Sequence, residues 1–436
     1  MQQRSESSRV ETAAIPVVEE FPRRGRINTF RALSYRDFRF LWLGQVTNSA
    51  SIWTEQVARP LLILDVVPDP AQAALHLGLV LGARTLPQLG FGLLAGVFAD
   101  WYDRRTLMLI SKTLSMLINV VFAAIVVTGQ VELWHVYVSS VLRGIVTSFD
   151  NPARQAVLPS LVAPEDLINA VALNSASMQT MRIGGGMLAG ILIVLTGMAG
   201  AFVAVALFSA GAVFFTVLMR VPSMPAVAEK GIKGAFISLW EGAKYGWRDL
   251  TIRGILVLML VYFLLGMAYL QVFAPLFAKQ VMDIGDAGFG LMISTAGVGS
   301  LVGALAIATI SPSRRRGPAL LVIMGLLGLL LIGFALSTYT PWPLMTFGII
   351  ALVGMVQSTS FALANSVILQ ATRVEMRGRI MGLLSLDRAS ITLGGTLAGL
   401  VSAFLGPQLG QVLFGAGCIA CAVLLAVSLP SIRKMQ

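Results

Sequence analysis

Charged residues are scarce in this chain of 436 residues, because Asp, Glu, Lys and Arg together make up only 12% of it. Soluble domains carry about 25% charged residues. Hydrophobic residues reach 56% of the chain, and its mean hydropathy is +0.81. A single soluble core does not keep growing at this length, so the surplus of apolar residues needs lipid as its solvent. The composition excludes a soluble enzyme, a nucleic-acid-binding domain and a fibrous protein. The apolar runs do not alternate, which argues against a β-barrel.

Residues that bind metals or attack substrates are also rare. The only cysteines, Cys418 and Cys421, form a C-x-x-C pair in the last apolar segment, without the further thiolates that a structural zinc site needs. The two histidines, His76 and His135, lie near the ends of apolar segments, and the chain has no G-x-x-x-x-G-K-[ST] phosphate-binding loop. We therefore expect no metal, no cofactor, no ATP-driven pumping and no enzymatic activity.

Long apolar segments fill most of the sequence. A membrane-spanning helix needs about 20 apolar residues, so the chain has room for about twelve such helices. We predict an all-α membrane protein in which twelve transmembrane helices form two parallel six-helix repeats. The predicted organisation is a cytoplasmic tail at 1–39, a first bundle at 40–220, a cytoplasmic linker with an interfacial helix at 221–252, a second bundle at 253–430 and a cytoplasmic tail at 431–436.

The net charge of +11 is explained by where the basic residues lie. Of the 32 Lys and Arg residues, 26 fall in the two tails, the linker and alternate connections between predicted spans, while five lie inside spans. Only Lys279 falls in a connection on the opposite side. Because Lys and Arg are enriched in cytoplasmic connections, this distribution predicts an inner-membrane protein with both termini in the cytoplasm.

Short patterns occur twice in the chain, in the same order. A Gly-x-Val-x-Ser pattern at 144–148 returns at 354–358, and a Gly-Gly-x-Leu-Ala-Gly pattern at 185–190 returns at 394–399. A Val-x-x-Pro-Leu pattern recurs 215 residues later and a Gly-Leu pair 212 residues later. Such repeats predict two six-span units in the same orientation, with a substrate site near the membrane midplane between them.

The segment 96–105 resembles the cytoplasmic G-x-x-x-D-R-x-G-R-R motif of the major facilitator superfamily. Four further segments, 38–45, 150–156, 164–170 and 182–185, are similar to its enterobactin-exporter-like, or transmembrane secretion effector, branch. The resemblance extends from about residue 30 to 405 and implies alternating access, with Asp100 closing a cytoplasmic gate against the helix that starts near Gly378. The gating residues that it implies are Gly96, Asp100, Asp103, Arg104 and Arg105.

The chain departs from the superfamily pattern at four places. Ile310 stands at the repeat position of Asp100, so the charge relay is present in one half only. Arg143 lies directly before Gly144, so the family's R-x-x-x-G motif in span four is not matched. Trp101 stands where the family usually has an arginine, so the charge relay of the gate lacks one cation. In the fifth predicted span the family's Gly-Pro pair is replaced by Gly185 and Gly186.

Charged residues inside membrane spans are costly and are therefore functional candidates. Glu55 and Arg59 are spaced to pair across one helical turn, although Arg59 near a span end could instead extend to water. We expect Arg84 and Arg143 to contact an anionic substrate, and Asp387 to carry a coupling proton or to pair with Arg182 or Arg388. With the polar residues that the resemblance places on cavity-lining spans, the predicted cavity set is Asn48, Glu55, Gln56, Arg84, Arg143, Tyr262, Tyr269, Gln357 and Asn365.

These features predict a monomeric secondary transporter that exports a small amphiphilic or anionic molecule against proton entry. Its partners would be that substrate, protons and the lipid bilayer, and not nucleic acid. Two alternatives stay open at this stage. One is a lysophospholipid flippase, and the other is a non-transporting sensor or scaffold built on a transporter fold. The five intramembrane arginines argue against the sensor or scaffold.

The predicted topology can be tested with cysteines introduced into the two tails. In cells carrying Ser5→Cys or Ser431→Cys, the new thiol should react with a membrane-impermeant maleimide only after permeabilisation, because both tails are expected inside. The chain with its native cysteines is the control. Labelling of either tail in intact cells would contradict the arrangement.

Overall fold

The computed structural model of this protein describes residues 30–101, 103–220, 232–309, 316–340, 342–384 and 387–429. Regular structure within these ranges is entirely helical. The long helices are α1 (Arg36–Val66), α2 (Pro70–Trp101), α3 (Arg104–Val127), α4 (Leu133–Val157), α5 (Leu167–Leu218), α6 (Ile232–Arg248), α7 (Leu250–Val281), α8 (Gly285–Thr309), α9 (Arg316–Ser337), α10 (Pro343–Ala371), α11 (Val374–Leu384), α12 (Asp387–Leu405) and α13 (Pro407–Ser428).

Seven helical segments among the described residues are long and apolar enough to cross a membrane. The helix order is consistent with twelve spans. The long helix α5 holds two of them, because Gly197 adopts a φ of +71° and breaks it, while α11 and α12 follow one another within one span. Helices α1, α2 and α4 are not among the seven, and they are the helices that carry Glu55, Arg84 and Arg143.

Helix α6 lies in the linker, where an interfacial helix was expected. Its side chains Trp240 and Trp247 are 73% and 64% exposed, as suits aromatic rings at a headgroup layer. The helix is anchored to α11, because Arg379 Nη1 lies 2.9 Å from Glu241 Oε2. The linker therefore contacts the second half of the chain directly.

The same close helix crossing occurs once in each half of the chain. A Cβ on Gly144 in α4 would lie 1.9 Å from the Arg84 carbonyl oxygen in α2, and one on Gly354 in α10 would lie 2.1 Å from the Ala296 carbonyl oxygen in α8. Only glycine fits at either crossing, because a real Cβ does not approach another atom so closely. The repeated Gly-x-Val-x-Ser pattern thus corresponds to one packing contact formed twice.

The two halves meet at one end of the bundle through another repeated contact. A Cβ on Gly399 in α12 would lie 3.0 Å from Gly78 Cα in α2, and one on Gly290 in α8 would lie 3.0 Å from Gly190 Cα in α5. Because α2 and α8 have each just begun at these glycines, both crossings lie at the same end. The predicted topology places this end outside the cytoplasm. We call it the closed end, because the two halves contact each other there.

An ion-pair group joins the halves at this closed end. Lys279 near the end of α7 pairs with Asp65 at the end of α1, and its Nζ lies 3.4 Å from Asp286 Oδ1 at the start of α8. Lys279 is also the basic residue that stood apart in the charge distribution. Its position as a bridge between the halves explains why a cation is retained on that side.

Helix α7 is irregular where it faces α10. Its π-helical turns cover Tyr262–Gly266, Tyr269–Phe273 and Phe277–Val281. Gln357 of α10 donates a hydrogen bond from Nε2 to the Gly266 carbonyl oxygen at 2.9 Å. A side chain of another helix thus supplies a hydrogen-bond donor to a carbonyl group of this π turn. Such π turns occur frequently at functional sites.

Removal of the Lys279 bridge should favour opening of the closed end. The bridge is partly exposed, and such pairs contribute up to about 1 kcal/mol, so Lys279→Gln should raise the outward-open population by at most about fivefold. We would measure the labelling rate of Gln56→Cys, in a background without native cysteines, with an impermeant thiol reagent applied from outside. Lys279→Arg should preserve the unmodified rate. Equal rates for Lys279→Gln and the parent would contradict the role of the bridge.

Candidate functional site

A carboxylate held between two arginines lies at the centre of the first half. Glu55 of α1 is 1% exposed, and its Oε1 accepts hydrogen bonds from Arg59 Nη2 at 2.6 Å and from Arg59 Nε at 3.1 Å. Its Oε2 accepts a hydrogen bond from Arg143 Nη2 at 2.7 Å. Since Arg143 belongs to α4, the single carboxylate ties α1 to α4. We call Glu55, Arg59 and Arg143 the charge cluster.

Arg59 is enclosed by α3 and α4. Its Nη1 donates to Ser139 Oγ and Ser140 Oγ at 2.8 Å each, and its guanidinium carbon lies 5.0 Å from the centre of the Phe122 ring. The Arg59 side chain is buried, with 7% of the residue exposed. The alternative prediction, that it extends to water at the end of its span, is therefore wrong. The pairing with Glu55 across one turn is the arrangement that the sequence spacing predicts.

A cavity of about 50 Å³ adjoins the charge cluster. Its wall includes Glu55, Gln56 and Arg59 of α1, Arg84 of α2 and Gln271 of α7, so both halves of the chain contribute to it. Arg84 interacts electrostatically with Glu55, so among the described side chains at this cavity one carboxylate stands opposite three guanidinium groups. The space has room for a few water molecules, each needing roughly 10–15 Å³. The pocket is therefore a small positive site between the halves.

The charge cluster has no counterpart in the second half. The repeat offsets of 215, 212 and 210 residues relate Glu55 to Leu270, Arg84 to Ala296 and Arg143 to Val353. These counterparts are apolar although the glycine crossing beside Arg84 and Arg143 is repeated. The repeat thus supplies the scaffold twice, whereas the charges of Glu55, Arg84 and Arg143 occur in the first half and not at the equivalent positions of the second.

Other expected cavity residues have different roles. Tyr262 donates its hydroxyl proton to the Gln357 carbonyl oxygen at 3.2 Å, and Gln357 supports the backbone of α7. The hydroxyl of Tyr269 is buried, and no described residue forms a hydrogen bond with it. Asn48 and Asn365 are half-buried and form no hydrogen bond to another described residue.

The site also contains Ser140, Gln271 and Phe122, which were not among the predicted cavity residues. Ser140 and its neighbour Ser139 precede Arg143 by three and four residues, the spacing that places side chains on one helix face. That spacing could have identified them as partners of an arginine in the same region. Gln271 and Phe122 come from other helices, and only the packing brings them to the site.

The 96–105 motif is described only in part. Asp103 caps α3 by accepting hydrogen bonds from Thr106 N and Thr106 Oγ1 at 2.9 Å and 2.8 Å, and Arg105 Nη2 donates to the Val217 carbonyl oxygen at 2.9 Å. Both residues thus stabilise helix ends. The side chains of the remaining gating and coupling candidates lie outside the described residues, namely those of Asp100, Arg104, Asp387 and Arg388; Gly96 falls in the same undescribed part of α2.

The branch-like segments near residues 38 and 165 contact each other at the predicted cytoplasmic side. Asp166 accepts a hydrogen bond from Tyr35 Oη at 2.8 Å and pairs with Arg31 Nε at 3.1 Å. The bond to this carboxylate raises the pKa of the Tyr35 hydroxyl. Asn169 Oδ1 accepts from Ala32 N, and Trp42 Nε1 donates to the backbone of α5. These motifs fasten the start of α1 to the start of α5.

Comparison with known proteins places this arrangement in context. The family described as "Transmembrane secretion effector" matches residues 27–436. The enterobactin exporter EntS of Salmonella choleraesuis (strain SC-B67) is 26% identical over 408 residues, which cover 92% of this chain and 94% of that protein. EntS of Escherichia coli O1:K1 / APEC is 26% identical over 412 residues, which cover 92% and 93%.

Solved structures share the fold at low sequence identity. The nucleoside transporter NupG superposes with a TM-score of 0.71 and 15% identity, covering 90% of this chain and 99% of that one. A bacterial homologue of the iron transporter ferroportin, in an inward-facing state, superposes with a TM-score of 0.64 and 17% identity, covering 89% and 98%. These likenesses confirm the predicted fold class.

The charge cluster should be essential for stability. Glu55→Gln leaves two buried guanidinium groups without their counter-ion, and breaking a buried pair in this way costs about 3–5 kcal/mol. Thermal unfolding of the purified protein should therefore begin at a lower temperature. Glu165→Gln, at an exposed carboxylate, is the matched control. A second variant that also carries Arg143→Gln should recover part of the loss. An unchanged unfolding midpoint for Glu55→Gln would refute this role.

Proposed function

Because the chain belongs to the transmembrane secretion effector family of the major facilitator superfamily, we propose that it exports a small amphiphilic anion in exchange for protons. Its family establishes it as a membrane transporter and not an enzyme. The export direction, the coupling ion and the substrate class are the content of the proposal. We further propose that it works as a monomer with both termini in the cytoplasm.

The observation that carries the proposal is the excess of positive charge beside the cavity between the halves. Three arginines surround one carboxylate there, and a guanidinium is a permanent cation with a forked set of donors. A cavity of this kind attracts carboxylates, phenolates or phosphates and repels organic cations. The relatives named as enterobactin exporters support a substrate in the siderophore-like size class.

We assign different roles to the charged residues of the spans. Arg143 is bound by Glu55 and holds the cluster together. Arg84 lies in the cavity wall, where its positive charge can attract an incoming anion. Glu55 is bound by two guanidinium groups, which favours its charged form. We therefore keep Asp387 as the proposed proton-coupling residue and Asp100 as the proposed cytoplasmic gate.

A groove on the lipid-facing side favours one alternative function, the flipping of a lysophospholipid. It has a volume of about 400 Å³ and lies between α3 and α4. Its floor includes Phe122 and Ser139, which contact Arg59, and its mouth includes Trp134 and His135. An acyl chain suits these apolar walls, so a lysolipid belongs among the tested substrates.

Transport in proteoliposomes tests the proposal. A panel of labelled aromatic, catecholate and acyl anions, with a lysophospholipid included, would be supplied under a pH gradient. Arg84→Gln should lower anion flux by about tenfold, and Asp387→Asn should abolish its dependence on the gradient while substrate binding persists. Arg39→Gln and Glu165→Gln, at exposed positions, are the controls. The proposal fails if no anion moves faster than in protein-free liposomes, and movement of the lysophospholipid alone would establish the alternative.

A further inference from the structure

Two glutamines in the wall of the cavity between the halves are equivalent in the repeat. Gln56 of α1 and Gln271 of α7 are 215 residues apart, which is the offset of the Val-x-x-Pro-Leu pattern that directly follows each of them. Both line the cavity of about 50 Å³ beside the charge cluster. Residues related by parallel repeats lie on opposite sides of an axis along the membrane normal. The repeat therefore supplies the same amide to this cavity from each half.

The groups of the charge cluster already form hydrogen bonds with one another and with their neighbours. Arg59 donates from Nε, Nη1 and Nη2, and both carboxylate oxygens of Glu55 accept. Gln56 and Gln271 are half-buried, and no described residue forms a hydrogen bond with either amide. Polar groups in a largely buried site cost free energy unless water or a ligand pairs with them. The two amides are therefore available to a ligand in this cavity.

Both glutamines occupy irregular positions of their helices. A proline follows each of them by four residues, at Pro60 and Pro275. Proline has no N–H group, so it cannot donate the usual helical hydrogen bond to the carbonyl oxygen four residues earlier. In α1 this oxygen belongs to Gln56, and Pro60 itself lies in the cavity wall. In α7, Gln271 lies within the π turn Tyr269–Phe273, and such turns occur frequently at functional sites.

The cavity wall offers two kinds of recognition group. Arg84 contributes a positive charge that favours an anionic oxygen, whereas Arg182, the other half-buried candidate arginine, is not part of this wall. Each glutamine amide offers N–H donors and a carbonyl acceptor. A secondary amide has one C=O acceptor and one N–H donor, so two amides on opposite sides can pair with both of its groups. Room for a few water molecules suits a polar head group and not a whole siderophore-sized molecule.

We propose that Gln56 and Gln271 jointly bind a carboxamide group of the transported molecule, next to the anionic group that Arg84 attracts. The substrate class is thus an apolar body that ends in an N-acyl amino acid-like head, with an amide beside a carboxylate. Because one amide belongs to each half, movement of the halves apart weakens this binding, as release of a transported molecule requires. This inference rests on the proposed function, since it specifies the substrate class of that transporter.

Equilibrium binding to the full chain in lipid nanodiscs tests the site without requiring transport. The probes are radiolabelled N-benzoylglycine and 4-phenylbutanoate, in which two methylene groups replace the C=O and N–H of the amide. The unmodified protein should bind N-benzoylglycine more tightly. Gln56→Leu and Gln271→Leu should each weaken N-benzoylglycine binding by about threefold to tenfold and leave phenylbutanoate binding unchanged, because each removes one hydrogen bond to the amide. The double variant should lose the preference for N-benzoylglycine.

Gln72→Leu, at an exposed glutamine of α2, is the matched control and should bind both probes as the unmodified protein does. Arg84→Gln should weaken both probes alike, by about tenfold, because both carry the carboxylate. Methionine replaces leucine where a glutamine variant does not fold. The site is refuted if the unmodified protein does not prefer N-benzoylglycine, or if the folded glutamine variants keep its full preference. Failed anion export with this binding pattern intact would instead refute only the proposed function.

Discussion

The Glu55 carboxylate binds two guanidinium groups and so ties α1 to α4 in the first half of this protein. In a low-dielectric interior, separated charges are unstable, and one carboxylate is the described counter-ion for both Arg59 and Arg143. That requirement fixes α1 against α4 and places Ser139, Ser140 and Phe122 around Arg59. The positive surplus that remains beside the cavity, to which Arg84 contributes, is what makes an anionic substrate chemically reasonable.

Glycine crossings provide the frame in which this chemistry is held. The contacts of Gly144 and Gly354 repeat within the halves, and those at Gly78 and Gly290 join the halves at one end. A crossing between glycines brings backbones together without interlocking side chains. The closed end therefore relies on close contact and on the Lys279 bridge, and both can separate without dismantling a core. The ion pairs of the charge cluster all lie within the first half, so none of them has to break when the halves separate.

Sequence-based predictions were confirmed where they depended only on residues close together in the chain or on the repeat. The repeat offsets located equivalent glycines because a helix crossing needs a small residue wherever the repeat occurs. The spacing of Glu55 and Arg59 predicted their pairing because residues four apart on a helix face each other. Arg143 was expected to be open to substrate, but the structure pairs it with Glu55 from 88 residues earlier. Nothing in the local sequence around Arg143 specifies which distant carboxylate will neutralise it.

The sequence alone determined the membrane setting, the helical fold, the twofold repeat and the positions of the costly charges, because hydropathy, helix period and recurring glycines are properties of short segments. The tertiary structure decided how those charges are shared. It assigned Glu55 to two arginines and brought Gln271 of the second half to their cavity. Such pairings depend on which helices become neighbours, and that follows from the packing of the whole bundle.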